Sequence, residues 1–121
     1  MHELSIALSM IEMASEEASR YGAARVSALH LKLGPLSGVV KEALTFSFEI
    51  AREGTRLEGC ELIIEAVPVV IHCARCETDE VIDNIQDLRC PRCDNLQAEI
   101  IHGRELELVS LQLEEIEEVI G

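Results

Sequence analysis

The chain has 121 residues, of which 48% are apolar and 2% aromatic, and a formal net charge of −13. That length makes one ordinary domain, or a small domain carrying a smaller module, with an aliphatic core. No apolar run approaches the roughly eighteen residues that span a bilayer, and the charge disfavours nucleic acid, whose binding rests on a basic face that neutralises phosphates; a soluble cytoplasmic protein with cationic or protein partners is expected.

Met1-His2-Glu3-Leu4 opens the chain. It has no basic region followed by an apolar stretch and a small-residue cleavage site, so export is not expected. Leu4, Leu8, Ile11, Ala14 (with Met10) and Ala18 recur at helical spacing, and Gly22 supplies a stop. The pattern predicts an amphipathic helix from about Leu4 to Arg20. Leu29, Leu31 and Leu33 then alternate with Ala28, His30 and Lys32, the period-two signal of a half-buried strand. Gly34-Pro35-Leu36-Ser37-Gly38 is a turn by composition.

Val39, Ala43, Phe46 and Ile50 mark a second helix, flanked by Val40 and Leu44 and ended near Gly54. Glu58 to Val70 reads as one strand, which Pro68 bends or confines to an edge. Within it Cys60 reads as a small buried hydrophobe. Leu106 and Leu108 share one strand phase and Leu111 and Leu113 the other, which predicts a bulge at about Val109-Ser110. The acidic tail from Glu114 to Ile120 reads as a frayed helix or as disordered chain.

Between these strands stand Cys73-Ala-Arg-Cys76 and Cys90-Pro-Arg-Cys93, separated by thirteen residues with no strong core of their own. A two-residue gap lets both sulfurs of a loop face one point, and two such loops supply the four corners of a tetrahedron. The spacing is close to that of a zinc ribbon, with a slightly short central gap. A disulfide scaffold would need an oxidising compartment, and a redox dithiol would need one pair rather than two. A single iron in the same thiolate cage is the remaining alternative.

Four thiolates leave no open position for water or substrate, so the metal is structural and the chain is not expected to be an enzyme. Zinc would supply folding energy of the order of 10–16 kcal/mol, as in small finger domains. Arg75, Arg89 and Arg92 are placed to offset the roughly two negative charges of such a site. His72 and His102 flank the module as candidate supporting groups or alternative ligands. The fold class is therefore α+β: two helices on a small three-stranded sheet, with a zinc-ribbon module inserted between the last two strands. Residues 1–70 together with 102–121 form one discontinuous domain, and 71–101 the ribbon.

His2 offers a second metal site. The terminal amine of Met1, the amide nitrogen and imidazole of His2, and the Glu3 amide or carboxylate can close adjacent chelate rings, an arrangement suited to nickel(II) or copper(II). The amine must lose its proton, so binding weakens in acid.

Met1-His2-Glu3-Leu4-Ser5, Gly22-Ala23-Ala24-Arg25-Val26, Leu33-Gly34, Glu58-Gly59-Cys60 and the two cysteine loops, in this order over nearly the whole chain, resemble the HypA/HybF family of hydrogenase nickel-insertion proteins. The resemblance implies a nickel metallochaperone for the maturation of nickel-iron hydrogenase. Met1, His2 and Glu3 would hold Ni(II) as transferred cargo, and Cys73, Cys76, Cys90 and Cys93 a structural Zn(II). It implies as partners the nickel-handling GTPase of the same pathway and the hydrogenase large subunit; in some organisms members also serve urease. The longer, histidine-bearing insertion of some archaeal members is missing here. The alternatives are a zinc-ribbon adaptor without nickel transfer and a rubredoxin-like iron protein.

Overall fold

A computed structural model of the chain describes residues 2–115. Its elements run α1 (His2–Arg20), β1 (Ala23–Leu33), a short 3-10 turn (Pro35–Ser37), α2 (Lys41–Ala51), β2 (Glu61–Ala66), β3 (Val69–Cys73), β4 (Thr78–Ile82), β5 (Glu99–His102) and β6 (Leu106–Glu115). They form two three-stranded sheets, ordered β2-β1-β6 and β4-β3-β5. The expected α+β class holds, with the cysteine-bearing sheet lying in sequence between the last two strands of the first. The chain divides into two compact units: one takes the chain up to Leu31, Val39–Ile64 and the chain from Leu108, the other Lys32–Gly38 and Glu65–Glu107.

In the first unit α1 packs against α2. The buried stripe of α1 is Ala7, Met10, Ile11, Ala14 and Ala18, which keeps the i, i+3, i+4, i+7 spacing of a helix face. Leu8, expected inside, is exposed, and the smaller Ala7 takes its place. Gly22 stops the helix with φ +68, a left-handed conformation that glycine adopts without a Cβ penalty.

The face of α2 differs from the one expected. Leu44, Ser47 and Phe48 are buried, whereas Phe46 and Ile50 are 65% and 57% exposed. The helix is apolar on several sides, so its sequence carries two competing stripes, and packing against α1 selects one. On β1, Leu29, Leu31 and Leu33 are buried as the alternation required, and Cys60 is fully buried.

Glu58 to Val70 is not one strand. The chain breaks at Val67-Pro68 into β2 and β3, which belong to different sheets. Pro68 has no N–H to donate to a ladder, and the preceding Val67 N–H turns to the Leu33 carbonyl at 2.9 Å. β2 lies at a sheet edge. Along β6 the half-buried residues are Leu108, Leu111 and Leu113, with Val109 and Ser110 both exposed, so the change of phase falls at the expected pair. Glu114 and Glu115, expected in an acidic tail, belong to β6; the rest of that tail lies outside the described residues.

In the second unit β3 is the central strand, paired antiparallel with β4 from Val69↔Ile82 to Cys73↔Thr78 and with β5 on its other side. Its core is small: Val69, Ile71, Ile82, Cys73 and Cys90, with Leu36, Leu88, Ala98 and Ile100 packed around them. The Gly34–Gly38 turn belongs to this unit. Gly34 donates to the Glu105 carbonyl at 2.8 Å and Leu36 to the Gly103 carbonyl at 2.7 Å.

Candidate metal centre

The four cysteines converge. Cys73 ends β3, Cys76 lies in the tight connection to β4, and Cys90 and Cys93 lie in the loop leading to β5. All four sulfurs lie within 4.8 Å of one another, with Cys73 Sγ to Cys93 Sγ at 3.6 Å and Cys76 Sγ to Cys90 Sγ at 4.0 Å. A tetrahedron with metal–sulfur bonds of about 2.3 Å has edges of about 3.8 Å. The residues therefore fit a four-coordinate ion such as zinc.

The two loops repeat one local conformation. The residue after each second cysteine has positive φ, 56° at Glu77 and 58° at Asp94. This left-handed step reverses the chain just past the ligand, which turns the paired sulfurs to the same side. In the second loop the Asp94 N–H bonds the Cys90 carbonyl at 2.9 Å, and the Cys90 N–H bonds the Asn95 carbonyl at 3.1 Å.

The sulfurs are electrostatically unequal. The Asn95 side-chain amide donates to Cys73 Sγ at 3.5 Å. That bond first, and the Cys76 backbone N–H second, hold the Cys73 thiol down to about 6. Cys76 is pushed up, first by its hydrogen bond with Cys93 and then by burial. Four clustered thiols cannot all ionise without a cation among them; a divalent ion displaces the protons and removes the conflict.

Two of the three arginines expected to offset the cluster, Arg89 and Arg92, are engaged elsewhere. Arg89 forks onto Asp87 with two bonds of 2.8 Å and holds that carboxyl down to about 2. Arg92 reaches Glu80 at 3.2 Å. His72 and His102 stand outside the cysteine cluster found among the described residues. His72 Nδ1 lies 2.7 Å from Asp79, its cross-strand partner on β4, and His102 Nδ1 lies 3.0 Å from Glu105. Asn95 escaped the sequence reading, because nothing in Cys-Asp-Asn distinguishes a side chain that crosses to the other loop from one in solvent.

At the other predicted site, Met1 lies outside the described residues. His2 begins α1 with its side chain 59% exposed, while that of Glu3 is 18% exposed, and the two approach at 3.6 Å. Glu3 Oε2 accepts the N–H of Val40 at 3.4 Å. Val40 is the N-cap of α2 and has no side chain able to cap. The positive ends of both helices thus meet at one carboxylate. Glu3's own N–H first, and that of Val40 second, hold it below the usual carboxylate range.

Comparison with known proteins places the whole chain. Residues 1–113 match the family model described as hydrogenase/urease nickel incorporation, metallochaperone, hypA. A hydrogenase maturation factor HypA from Chloroflexus aurantiacus is 54% identical over 112 residues, covering 93% of this chain and 98% of that one. A solution structure of HypA protein aligns with a TM-score of 0.70 at 25% identity, covering 93% of this chain and 96% of that one. The solution structure of the nickel metallochaperone HypA from Helicobacter pylori shares the fold, with a TM-score of 0.64 at 24% identity over 93% of this chain and 97% of that one.

Proposed function

The chain belongs to the HypA family of hydrogenase/urease nickel-incorporation metallochaperones, and from that premise we propose that it carries Ni(II) at Met1, His2 and Glu3 and passes it on during maturation of a nickel-iron hydrogenase. It is a carrier and not a catalyst. Nickel handling belongs to the unit that carries α1. The ribbon of 71–101 is held by Zn(II) on Cys73, Cys76, Cys90 and Cys93. The nickel-handling GTPase of the pathway and the hydrogenase large subunit are the partners.

The observation that carries the reading is the placement of His2 at the head of α1 with its side chain exposed. The first N–H groups of a helix have no intrahelical acceptor. The amides that a planar nickel site uses can therefore lose their protons without breaking a helical hydrogen bond. Glu3, held between two helix starts, fixes the neighbouring backbone. Few ligands at an accessible terminus favour ligand exchange with a partner over tight retention. Copper(II) prefers such donors intrinsically, so selectivity falls to metal supply and docking.

The test is elemental analysis and nickel titration of chain that starts at its own Met1, without an N-terminal tag, comparing wild type with His2→Ala. We expect one zinc in both and a nickel equivalent in wild type alone, weakening as pH falls below the amine's ordinary range of about 7.7–8.0. Equal nickel affinity in the two proteins sinks the reading.

A further inference from the structure

We propose that Asn95 is a positioning residue of the cysteine centre, whose side-chain amide sets how slowly the Cys73 thiolate releases the metal. The inference rests on the zinc reading above and deepens it.

Asn95 belongs to the second loop, yet its side chain serves the first. Its carbonyl receives the Cys90 N–H at 3.1 Å, closing its own loop. Its Oδ1 accepts the Gln97 N–H at 3.0 Å. Only a carbonyl oxygen can accept that bond, so the orientation of the amide is decided: the NH2 group faces Cys73 Sγ, 3.5 Å away. An aspartate in the same turn would keep the Gln97 bond and lose the donor.

The two loops make the point by contrast. Glu77 and Asp94 repeat the same left-handed step, which makes Thr78 and Asn95 equivalent in position. Asn95 crosses to the opposite loop, whereas the Thr78 Oγ1 is buried with no hydrogen-bond partner. Among the described residues no other side-chain N–H reaches a sulfur of the cluster. Among the described residues the near-twofold cage thus carries a side-chain N–H donor on one corner only. A hydrogen bond to a thiolate withdraws electron density from sulfur, which lowers its attraction for protons and its nucleophilicity towards competing electrophiles. It also holds the ligand in the orientation the ion requires. Cys73 is the corner so protected, and Asn95 ties its fate to the closed state of the other loop.

The experiment uses the full chain, loaded with cobalt(II) for spectroscopy and with zinc for release to an excess of a chelator. Asn95→Asp removes the donor and keeps the turn; Asn95→Ala removes both; Thr78→Val is the control at the equivalent position. Expected are a shift of the thiolate-to-cobalt charge-transfer band to lower energy in both Asn95 variants and zinc release faster by about 10- to 100-fold, with the control unchanged. A wild-type band and rate in both Asn95 variants overturn this inference and leave the zinc reading standing. A wild-type chain with no thiolate-to-cobalt band removes both.

Discussion

Gly34 lies against the backbone of Gly103 so closely that a β-carbon on Gly34 would stand 2.1 Å from the Gly103 carbonyl oxygen. The obstacle is backbone on both sides, held by the Gly34–Glu105 and Leu36–Gly103 hydrogen bonds, so no flexible side chain can move aside. Gly34→Ala should therefore destabilise at or beyond the upper end of the ~1–3 kcal/mol usual for overpacking. Chemical denaturation, followed on the β3–β5 sheet, checks this. A loss within the ~0.5 kcal/mol usual for surface changes would show that the close approach is not obligatory.

Two phenylalanines on α2 should behave oppositely. Phe48 is fully buried and Phe46 is not. Phe48→Ala should cost about 3–5 kcal/mol, and Phe46→Ser less than about 0.5 kcal/mol. Thermal melts monitored by helical circular dichroism distinguish them. A larger cost at Phe46 than at Phe48 would restore the helix face expected from the sequence.

Glu105 gives the second unit an acid-sensitive element. Its carboxylate bonds His102 and the Gly103 N–H, which hold it below the ordinary carboxylate range, His102 contributing most. A carboxyl depressed in the folded state contributes stability fully above its unfolded value of about 4.3, and that stability is lost as pH falls through the lower folded value. Wild type minus Glu105→Gln should thus be positive at pH 7 and shrink below about pH 4. A difference independent of pH would assign the carboxylate no such part.

Metal removal should separate the two units. The core of the second unit contains Cys73 and Cys90 among only five buried residues, whereas the first has its own apolar core. Stripping zinc with a strong chelator should abolish amide-exchange protection in β3, β4 and β5 and leave α1 and α2 helical. Simultaneous loss of the helices would refute this independence.

The cysteine centre was legible because Cys-x-x-Cys spacing encodes geometry within each loop: a two-residue gap constrains where both sulfurs can point. The helix of α1 was legible because one stripe of apolar residues dominates it. On α2 the same reasoning failed, since Phe46 and Ile50 compete with Leu44 and Phe48 and only the neighbouring helix decides. β2 and β3 looked continuous because apolar, β-branched residues run through both, and Pro68 alone marks where the chain leaves one sheet for the other. Asn95 was invisible for a different reason. Its role depends on an amide fixed by one bond and spent on a sulfur 22 residues away.

The interleaving of the two units constrains how the chain is made. The second unit needs both Lys32–Gly38 and Glu65–Glu107, and the first needs the chain from Leu108 onward. Sheet β2-β1-β6 therefore lacks a strand until residue 115 has been synthesised. During translation α1 and β1 are made early and wait, with an apolar face uncovered, for the strand that completes their sheet. Both units close only with the last residues made, the second at Glu107 and the first beyond Leu108, so neither is complete until synthesis has all but ended.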